Sequence, residues 1–182
     1  MAASSVQAPS PFEARKRSHL RVTATMARST PATVALAKAG VAFTLHEYDY
    51  DPDAARIGMQ AAEALGVDPA RLLKTLMAKA GSATVCVLVP SDQEVSLKKL
   101  AAAAGAKDAA MLPAHEAERI TGYHVGGISP FGQKKRVRVF IAQSALAHDT
   151  IIVNGGRRGL QIELRPADLV RLLEASAVEV SG

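Results

Sequence analysis

The sequence predicts an α+β domain with a mixed, largely antiparallel sheet flanked by short helices. Three observations favour this class: about six or seven segments rich in β-forming residues, about five short segments with helix-capping signals, and strand segments that follow one another in adjacent runs. Strands do not alternate strictly with long helices, as a doubly wound nucleotide-binding fold requires. The pattern therefore excludes that fold and favours a sheet built from hairpins.

The first half of the folded region carries clear start, stop and turn signals. Thr30 and Pro31 suit the cap and first position of a helix, and Gly81-Ser82 between two apolar runs is typical of a two-residue hairpin. The expected elements are a helix from Pro31 to before Gly40, a strand over residues 41–50, a helix over 59–65, strands over 72–80 and 83–90, and a helix over 97–104 begun by Ser96 and ended by Gly105.

The second half is expected to contain one shaped loop among short elements. Residues 122–132 hold four glycines and one proline, a composition that favours turns and close backbone approach. The expected elements are a helix over residues 113–120, this loop, strands over 137–142, 150–153 and 160–164 with a turn at Asn154-Gly155-Gly156, and an amphipathic helix over 166–175.

The composition divides the chain into a basic tail and a nearly neutral body. The chain has 182 residues, 48% of them hydrophobic, which suffices for one domain with a full core. Residues 1–28 are expected to be a disordered basic tail and residues 29–182 the folded domain. For residues 1–25 two alternatives remain: an organelle targeting segment, or a start placed before Met26. Residues 26–182 carry 18 basic and 16 acidic side chains, so any RNA contact should be local.

Several common catalytic sites and cofactor sites are missing from the sequence. His115-Glu116 lacks the second histidine of a zinc-protease motif, because position 119 is Arg, and no phosphate-binding glycine motif occurs. Cys86, the only cysteine, lies in a continuous apolar strand and is predicted to be a buried, inert thiol. We therefore expect no metal and no cofactor. No apolar run approaches the roughly 18 residues that span a bilayer, so a cytoplasmic protein without a membrane partner is expected.

Three segments do not suit a plain core. Lys74 interrupts an apolar strand, where it either faces solvent or is a cation held in a cleft. The segment Gly126-Gly127-Ile128-Ser129-Pro130 is either a tight loop or a place where backbone N–H groups approach a ligand. The segment that runs from Asn154 through Gly155, Gly156, Arg157, Arg158 and Gly159 is either a hairpin turn with solvated arginines or part of the same site.

Together, in this order and spacing, the three segments resemble the YbaK-type Cys-tRNA(Pro) deacylases, relatives of the editing domain of prolyl-tRNA synthetases. The resemblance extends from about Thr30 to Leu173. Further matching segments are Thr30-Pro31-Ala32, His46-Glu47-Tyr48, Leu73-Lys74-Thr75-Leu76, Ser96-Leu97-Lys98-Lys99-Leu100 and Thr121-Gly122-Tyr123 running on to Lys135. It implies a sheet partly curled into a barrel and an editing domain over residues 29–182.

The resemblance also implies the site residues. Lys74 would be the central residue, with Thr75 and Gly126 beside it as the other catalytic positions. Substrate-binding positions fall on Tyr48, Gly127, Ser129, Asn154 and Gln161. Some relatives have Ser and Asp at the last two positions, so this chain departs from them there. A basic rim that contacts tRNA would include Lys134, Lys135, Arg157 and Arg158.

The implied activity is clearance of mischarged tRNA in trans, chiefly Cys-tRNA(Pro), by cleavage of the aminoacyl ester. No protein nucleophile is evident, so water or the substrate's own thiol would attack, as a hydrolase or as a thiolactone-releasing lyase. Lys74 would stabilise charge, and the amides near Gly126 and Gly127 are candidates for the oxyanion. Prolyl-tRNA synthetase is a possible partner. Two alternatives remain: a deacylase for another error such as Ala-tRNA(Pro), or a non-catalytic module that binds tRNA or a synthetase.

Overall fold

The computed structural model describes residues 29–182, which form eight strands, five α-helices and one 3-10 helix. The predicted tail, residues 1–28, lies outside the described residues. The elements are, in chain order, α1 (Pro31–Lys38), β1 (Thr44–Glu47), α2 (Ile57–Leu65), β2 (Leu73–Ala80), β3 (Ala83–Pro90), α3 (Leu97–Ala104), β4 (Ala109–Met111), α4 (Ala114–Thr121), β5 (Arg138–Ala142), the 3-10 helix (Gln143–Ala147), β6 (Ile151–Asn154), β7 (Leu160–Leu164), α5 (Pro166–Leu173) and β8 (Ser176–Val178).

The helix ends follow the predicted capping residues. The Thr30 hydroxyl accepts from the Thr33 amide at 3.2 Å, and the Thr33 hydroxyl accepts from the Thr30 amide at 2.9 Å, so the two residues cap α1 reciprocally. Gly66 and Gly105 end α2 and α3 with φ of 63° and 73°, a region that favours glycine. These local signals explain why the predicted bounds of these helices lie within about two residues of the observed ones.

Three short elements differ from the prediction. Strand β1 covers only four residues of the expected 41–50, because only Thr44–Glu47 pairs with β7. Strands β4 and β8, three residues each, were not predicted at all. Their sequences, Ala-Ala-Met and Ser-Ala-Val, are too short to show alternation, and they are strands only because a neighbouring edge binds them.

The strands form a five-stranded sheet in the order β4-β2-β3-β5-β8 and a three-stranded sheet in the order β1-β7-β6. Four of the six strand pairs are antiparallel, and the pairs β3–β5 and β5–β8 are parallel. The prediction of a mixed, largely antiparallel sheet is therefore confirmed. The sheets meet at one parallel bridge between Leu72 and Ile152. Since the described strands close no barrel, the partial barrel implied by the resemblance is not confirmed.

Both faces of the five-stranded sheet are covered. The larger apolar cluster packs one face against the three-stranded sheet, α1, α4 and α5, and includes Leu36, Ile141 and Leu169. A second cluster around Leu100 of α3 and Phe140 covers the other face. Cys86 is fully buried in the first cluster, and this burial raises the pKa of its thiol to about 12. The prediction that this thiol is buried is confirmed, and its lack of reactivity stays a prediction.

No helix in the part of the chain that the structure describes combines the length and the apolar character needed to cross a bilayer.

Candidate active site

Strand β2 has an incompletely paired edge. Strand β3 pairs with one edge over the whole length of β2, but β4 pairs with the other edge only at Ala78–Ala80. The Leu112 amide donates to the Met77 carbonyl at 3.0 Å, so Met77 directs its backbone groups toward that second edge. Thr75 does the same, because strand orientation repeats every two residues. Strand β6 forms a backbone bridge with this edge at Leu72, just before β2, and among the described residues no strand pairs with the edge at Thr75.

A cavity of about 340 Å³ lies along this edge of β2. Lys74 and Thr75 both border it, although they point to opposite faces of β2, because the cavity follows the edge of the strand. It collects six of the eight predicted catalytic and substrate-binding residues from four separate parts of the chain. Its predicted lining residues are Tyr48, Lys74, Thr75, Gly126, Asn154 and Gln161.

The remaining walls of the cavity are mostly apolar and were not predicted as site residues, although Leu73, Leu76 and Ile128 lie within the motifs of the family resemblance. They come from α2, β2, β4, α4 and the glycine loop, defined as residues 122–132. These lining residues are Gly58, Ala61, Leu72, Leu73, Leu76, Met77, Met111, Leu112, Ala114, Ala117, Val125 and Ile128. The tertiary structure brings these residues together, and those outside the motifs carry no local signal in the sequence.

Lys74 is a partly buried cation with one exposed partner. Its Nζ lies 3.0 Å from Oε1 of Glu94, and the side-chain exposures are 19% and 85%. A Cβ placed on Gly58 would lie 3.3 Å from the Lys74 Cγ, so the glycine leaves room for the lysine stem. An ion pair with so exposed a carboxylate contributes about 0–1 kcal/mol. An anionic substrate group could therefore replace Glu94 at little energetic cost.

Two polar side-chain atoms of cavity residues are buried without a hydrogen-bond partner among residues 29–182: Thr75 Oγ1 and Gln161 Oε1. An unsatisfied buried polar atom costs roughly 1–3 kcal/mol. Next to them, burial raises the pKa of the Tyr48 phenol, and a hydrogen bond from Gln161 offsets this only in part. Tyr48 is therefore a neutral phenol at physiological pH. These groups are suited to binding polar atoms of a ligand.

Asn154 joins the glycine loop to the turn before β7. Its Nδ2 donates to the Gly126 carbonyl at 3.1 Å, and its Oδ1 accepts from the Gly156 amide at 2.8 Å. Gly126 has a φ of 88°, and a Cβ there would lie 3.0 Å from the Tyr50 hydroxyl, so glycine is required. Within residues 29–182 the Gly126 amide has no hydrogen-bond acceptor. It is the amide best placed to stabilise an oxyanion.

The structure does not bring Gly127 and Ser129 to the cavity. The Gly127 amide donates to the His124 carbonyl at 2.8 Å, so it is not available as a second oxyanion donor. Ser129 is fully buried, and its hydroxyl accepts from the Phe131 amide at 3.3 Å. A Cβ on Gly127 would lie 3.0 Å from the backbone of Arg157. Both residues shape the glycine loop and do not face the space where a substrate would lie.

Two of the four predicted rim cations are already engaged. Arg158 donates to the Val125 carbonyl from Nε at 3.1 Å and from a terminal nitrogen at 2.9 Å, and it stacks on the Tyr50 ring at 5.4 Å. Arg157 pairs with Glu47. The stem of Lys134 packs over Gly122, whereas Lys135 is exposed and lines a second groove. Arg158 therefore secures the glycine loop, a role that sequence reasoning missed.

A polar network around Glu163 was not predicted from the sequence. Glu163 accepts from Arg71 and Thr150, and its Oε2 lies 2.7 Å from His46 Nε2. These hydrogen bonds and charges hold the pKa of the Glu163 carboxyl below its ordinary value, although burial opposes them. Arg71 immediately precedes Leu72, so the network fixes the start of β2. Among residues 29–182, no three histidine, cysteine or acidic side chains come together as a metal site.

Known proteins resemble this chain in sequence. The model of the family "Aminoacyl-tRNA editing domain" matches residues 51–172. "Putative Cys-tRNA(Pro)/Cys-tRNA(Cys) deacylase EbsC" of Enterococcus faecalis is 41% identical over 122 residues, which cover 66% of this chain and 74% of that protein. YwhH of Bacillus subtilis is 32% identical over 111 residues, covering 60% of this chain and 70% of that protein.

A similar fold occurs in a solved structure described as "a putative trans-editing enzyme for prolyl tRNA synthetase". Its TM-score is 0.74 at 21% identity, covering 85% of this chain and 98% of the other. At 21% identity, this similarity shows the fold alone. The match to the family model covers more than half of the chain and shows the family. The family resemblance inferred from the sequence motifs is thus confirmed: this chain belongs to the aminoacyl-tRNA editing domain family.

Proposed function

We propose that this protein is a stand-alone aminoacyl-tRNA deacylase that clears mischarged tRNA in trans, with Cys-tRNA(Pro) as its main substrate. One observation carries the proposal: the cavity at the open edge of β2 holds a cation, a free amide and unsatisfied polar atoms within apolar walls. Such a cavity can enclose a small aminoacyl group and stabilise charge on its ester. The name of the E. faecalis relative, with 41% identity, supports the choice of cysteine.

The cavity offers electrostatic stabilisation without a protein nucleophile. The thiol at Cys86 is buried in the core and carries a raised pKa, so it does not attack. In the proposed step the substrate thiolate forms a bond to the ester carbonyl carbon, and the carbon–oxygen bond to the ribose breaks. The ribose oxygen takes up the proton that the thiol gave up, and a thiolactone leaves. Lys74 and the Gly126 amide would stabilise the negative charge that develops.

The proposed partners follow from the substrate. The acceptor end of a mischarged tRNA would enter the cavity, and its backbone would pass the cations at the rim. Lys134 and Lys135 are candidates for such contacts, whereas Arg157 and Arg158 would first have to leave Glu47 and the Val125 carbonyl. Association with prolyl-tRNA synthetase and a cytoplasmic location are part of this proposal.

The test is single-turnover deacylation of proline tRNA charged with cysteine, alanine or proline. We expect rapid loss of cysteine and little loss of proline. Faster loss of alanine would shift the main substrate to Ala-tRNA(Pro), and loss of none would favour a non-catalytic binding module. Proline tRNA charged with 2-aminobutyrate, which has a methyl group where cysteine has its thiol, is the matched control. If the thiol attacks, tRNA charged with 2-aminobutyrate should be deacylated about 100-fold or more slowly than tRNA charged with cysteine. If water attacks, the two rates should be similar.

A further inference from the structure

A second cavity, of about 530 Å³, lies on the other side of helix α4. Ala114 and Ala117, three residues apart, line the first cavity, whereas Glu116 and Arg119, also three residues apart, line the second. Helix α4 therefore separates the two cavities, and each cavity uses one of its faces. Leu112, just before the helix, borders both.

This second cavity, which we call the basic groove, concentrates positive charge. Five basic side chains and one acidic side chain line it: Lys79, Arg119, Lys135, Arg136, Arg138 and Glu116. Residues 29–182 contain 17 basic and 16 acidic side chains, so 12 basic and 15 acidic remain elsewhere. The rest of the domain therefore carries a net negative charge, whereas the groove carries a net positive charge.

Four of these five cations have no carboxylate partner among the described residues. Lys79, Arg119, Lys135 and Arg138 have no carboxylate within 4.0 Å among residues 29–182, whereas Arg136 pairs with Glu174. Arg138 lies 4.6 Å over the Phe140 ring, which leaves its charge in place. Lys79 comes from β2, Arg119 from α4 and Lys135 from the segment before β5, so the fold brings them together from distant parts of the chain. Like charges that converge without counterions indicate a site for an anionic ligand.

From this arrangement we propose that the basic groove binds the phosphate backbone of the substrate's acceptor strand a few nucleotides from its esterified 3′ end. The proposal rests on the function proposed for the first cavity. A helix with its side chains is about 10 Å wide, and a stacked strand rises about 3.4 Å per nucleotide. One helix width thus corresponds to about three nucleotides between the ester in the first cavity and the phosphates in the groove.

The test compares two double variants of the full chain with the same change in charge. Lys79→Gln/Lys135→Gln removes two free cations of the groove. Lys38→Gln/Lys98→Gln removes two exposed lysines that line neither cavity. Each is assayed on Cys-charged proline tRNA and on a cysteine ester of a trinucleotide, which ends before the groove.

On full-length tRNA, the groove variant should lose about tenfold in kcat/KM and lower the slope of log kcat/KM against log salt by about 1–2 units. The control variant should keep the slope of the wild type, and all three proteins should cleave the trinucleotide ester alike. Equal salt slopes for groove variant and wild type would overturn the proposal. So would an equal loss in the control variant, which would indicate a general charge effect. Failure of the wild type on both substrates would instead contradict the proposed function.

Discussion

The walls that β2 and the glycine loop contribute to the cavity differ in how fully their polar groups are satisfied. On the β2 side, Thr75 Oγ1 has no hydrogen-bond partner in the part of the chain that the structure describes, and Lys74 pairs with the exposed carboxylate of Glu94. On the loop side, Asn154 bonds at both ends of its amide, and Arg158 fixes the Val125 carbonyl twice. We infer that the loop side is mainly scaffold, which holds the Gly126 amide in position, and that β2 presents the reactive side chains. Substitutions on the loop side should therefore act first on stability, and on activity where they displace the Gly126 amide, whereas substitutions on β2 should act on activity.

The largest expected effect on stability is at Gly132. Its φ is 66°, and an added Cβ would lie 2.5 Å from the carbonyl carbon and oxygen of Pro31, which cannot move without displacing α1. Gly132→Ala should lower the free energy of unfolding by about 3 kcal/mol or more, measured by urea denaturation. Gly40→Ala is the control: its φ is 67° but no atom lies within 4 Å, so only the cost of about 1 kcal/mol for the backbone conformation should appear. Equal losses at both positions would argue against close packing of the loop.

Asn154→Ala should lower both the stability of the protein and its deacylation activity. It removes two hydrogen bonds, to the Gly126 carbonyl and from the Gly156 amide, and should cost about 1–3 kcal/mol. Because the Gly126 amide would lose its fixed position, deacylation should fall about tenfold. Asn154→Asp keeps the acceptor for the Gly156 amide but sets a carboxylate oxygen against the Gly126 carbonyl oxygen, so it should keep the turn at Gly156 and lose the contact with the glycine loop. Unchanged activity in Asn154→Ala would show that the loop position does not matter for the reaction.

Thr75→Val should separate stability from activity. The change keeps the side-chain shape and removes a buried hydroxyl oxygen that has no partner, so stability should stay the same or rise by about 1 kcal/mol. Deacylation should nevertheless fall several-fold if the substrate uses this hydroxyl. Thr30→Val is the matched control, because the Thr30 hydroxyl caps α1 and its loss should destabilise by about 1 kcal/mol. Thermal unfolding and single-turnover rates of both variants would test this contrast, and a destabilised Thr75→Val protein would contradict it.

The smallest effect is expected at Cys86, which belongs to neither wall. Cys86→Ala should cost about 1 kcal/mol and leave deacylation unchanged. Because burial raises its pKa to about 12, the thiol of the native protein should resist alkylation at pH 8 and react only after unfolding. Rapid labelling of the folded protein, followed by mass spectrometry, would show that this interpretation of the core is wrong.

Local chemistry explains which parts of this structure could be predicted. The Thr30 cap, the Gly66 and Gly105 stops and the hairpin at Gly81 depend on neighbours in sequence, and all appear in the structure. Strands β4 and β8 depend on the edges they join, so their sequences carry no signal.

The candidate site also divides into residues that local motifs indicate and features that only the fold creates. The motifs of the family resemblance indicated Lys74, Thr75 and Gly126, and the fold places all three on one cavity. The motifs could not reveal that the Gly127 amide is engaged by His124, that Glu94 pairs with Lys74, or that α4 separates two cavities. These features arise from contacts between residues distant in sequence, which no local pattern reports.

The most direct test of the account is Lys74→Ala in single-turnover deacylation of Cys-charged proline tRNA, with Lys74→Arg beside it. Loss of one charge-assisted contact in the transition state should lower the rate by about 100-fold or more. Arginine should not restore it, because a planar guanidinium does not replace a compact ammonium. Thermal unfolding should change little, since the stranded partner would be the exposed Glu94. A folded Lys74→Ala protein that deacylates at the wild-type rate would contradict the assignment of this cavity as the catalytic site.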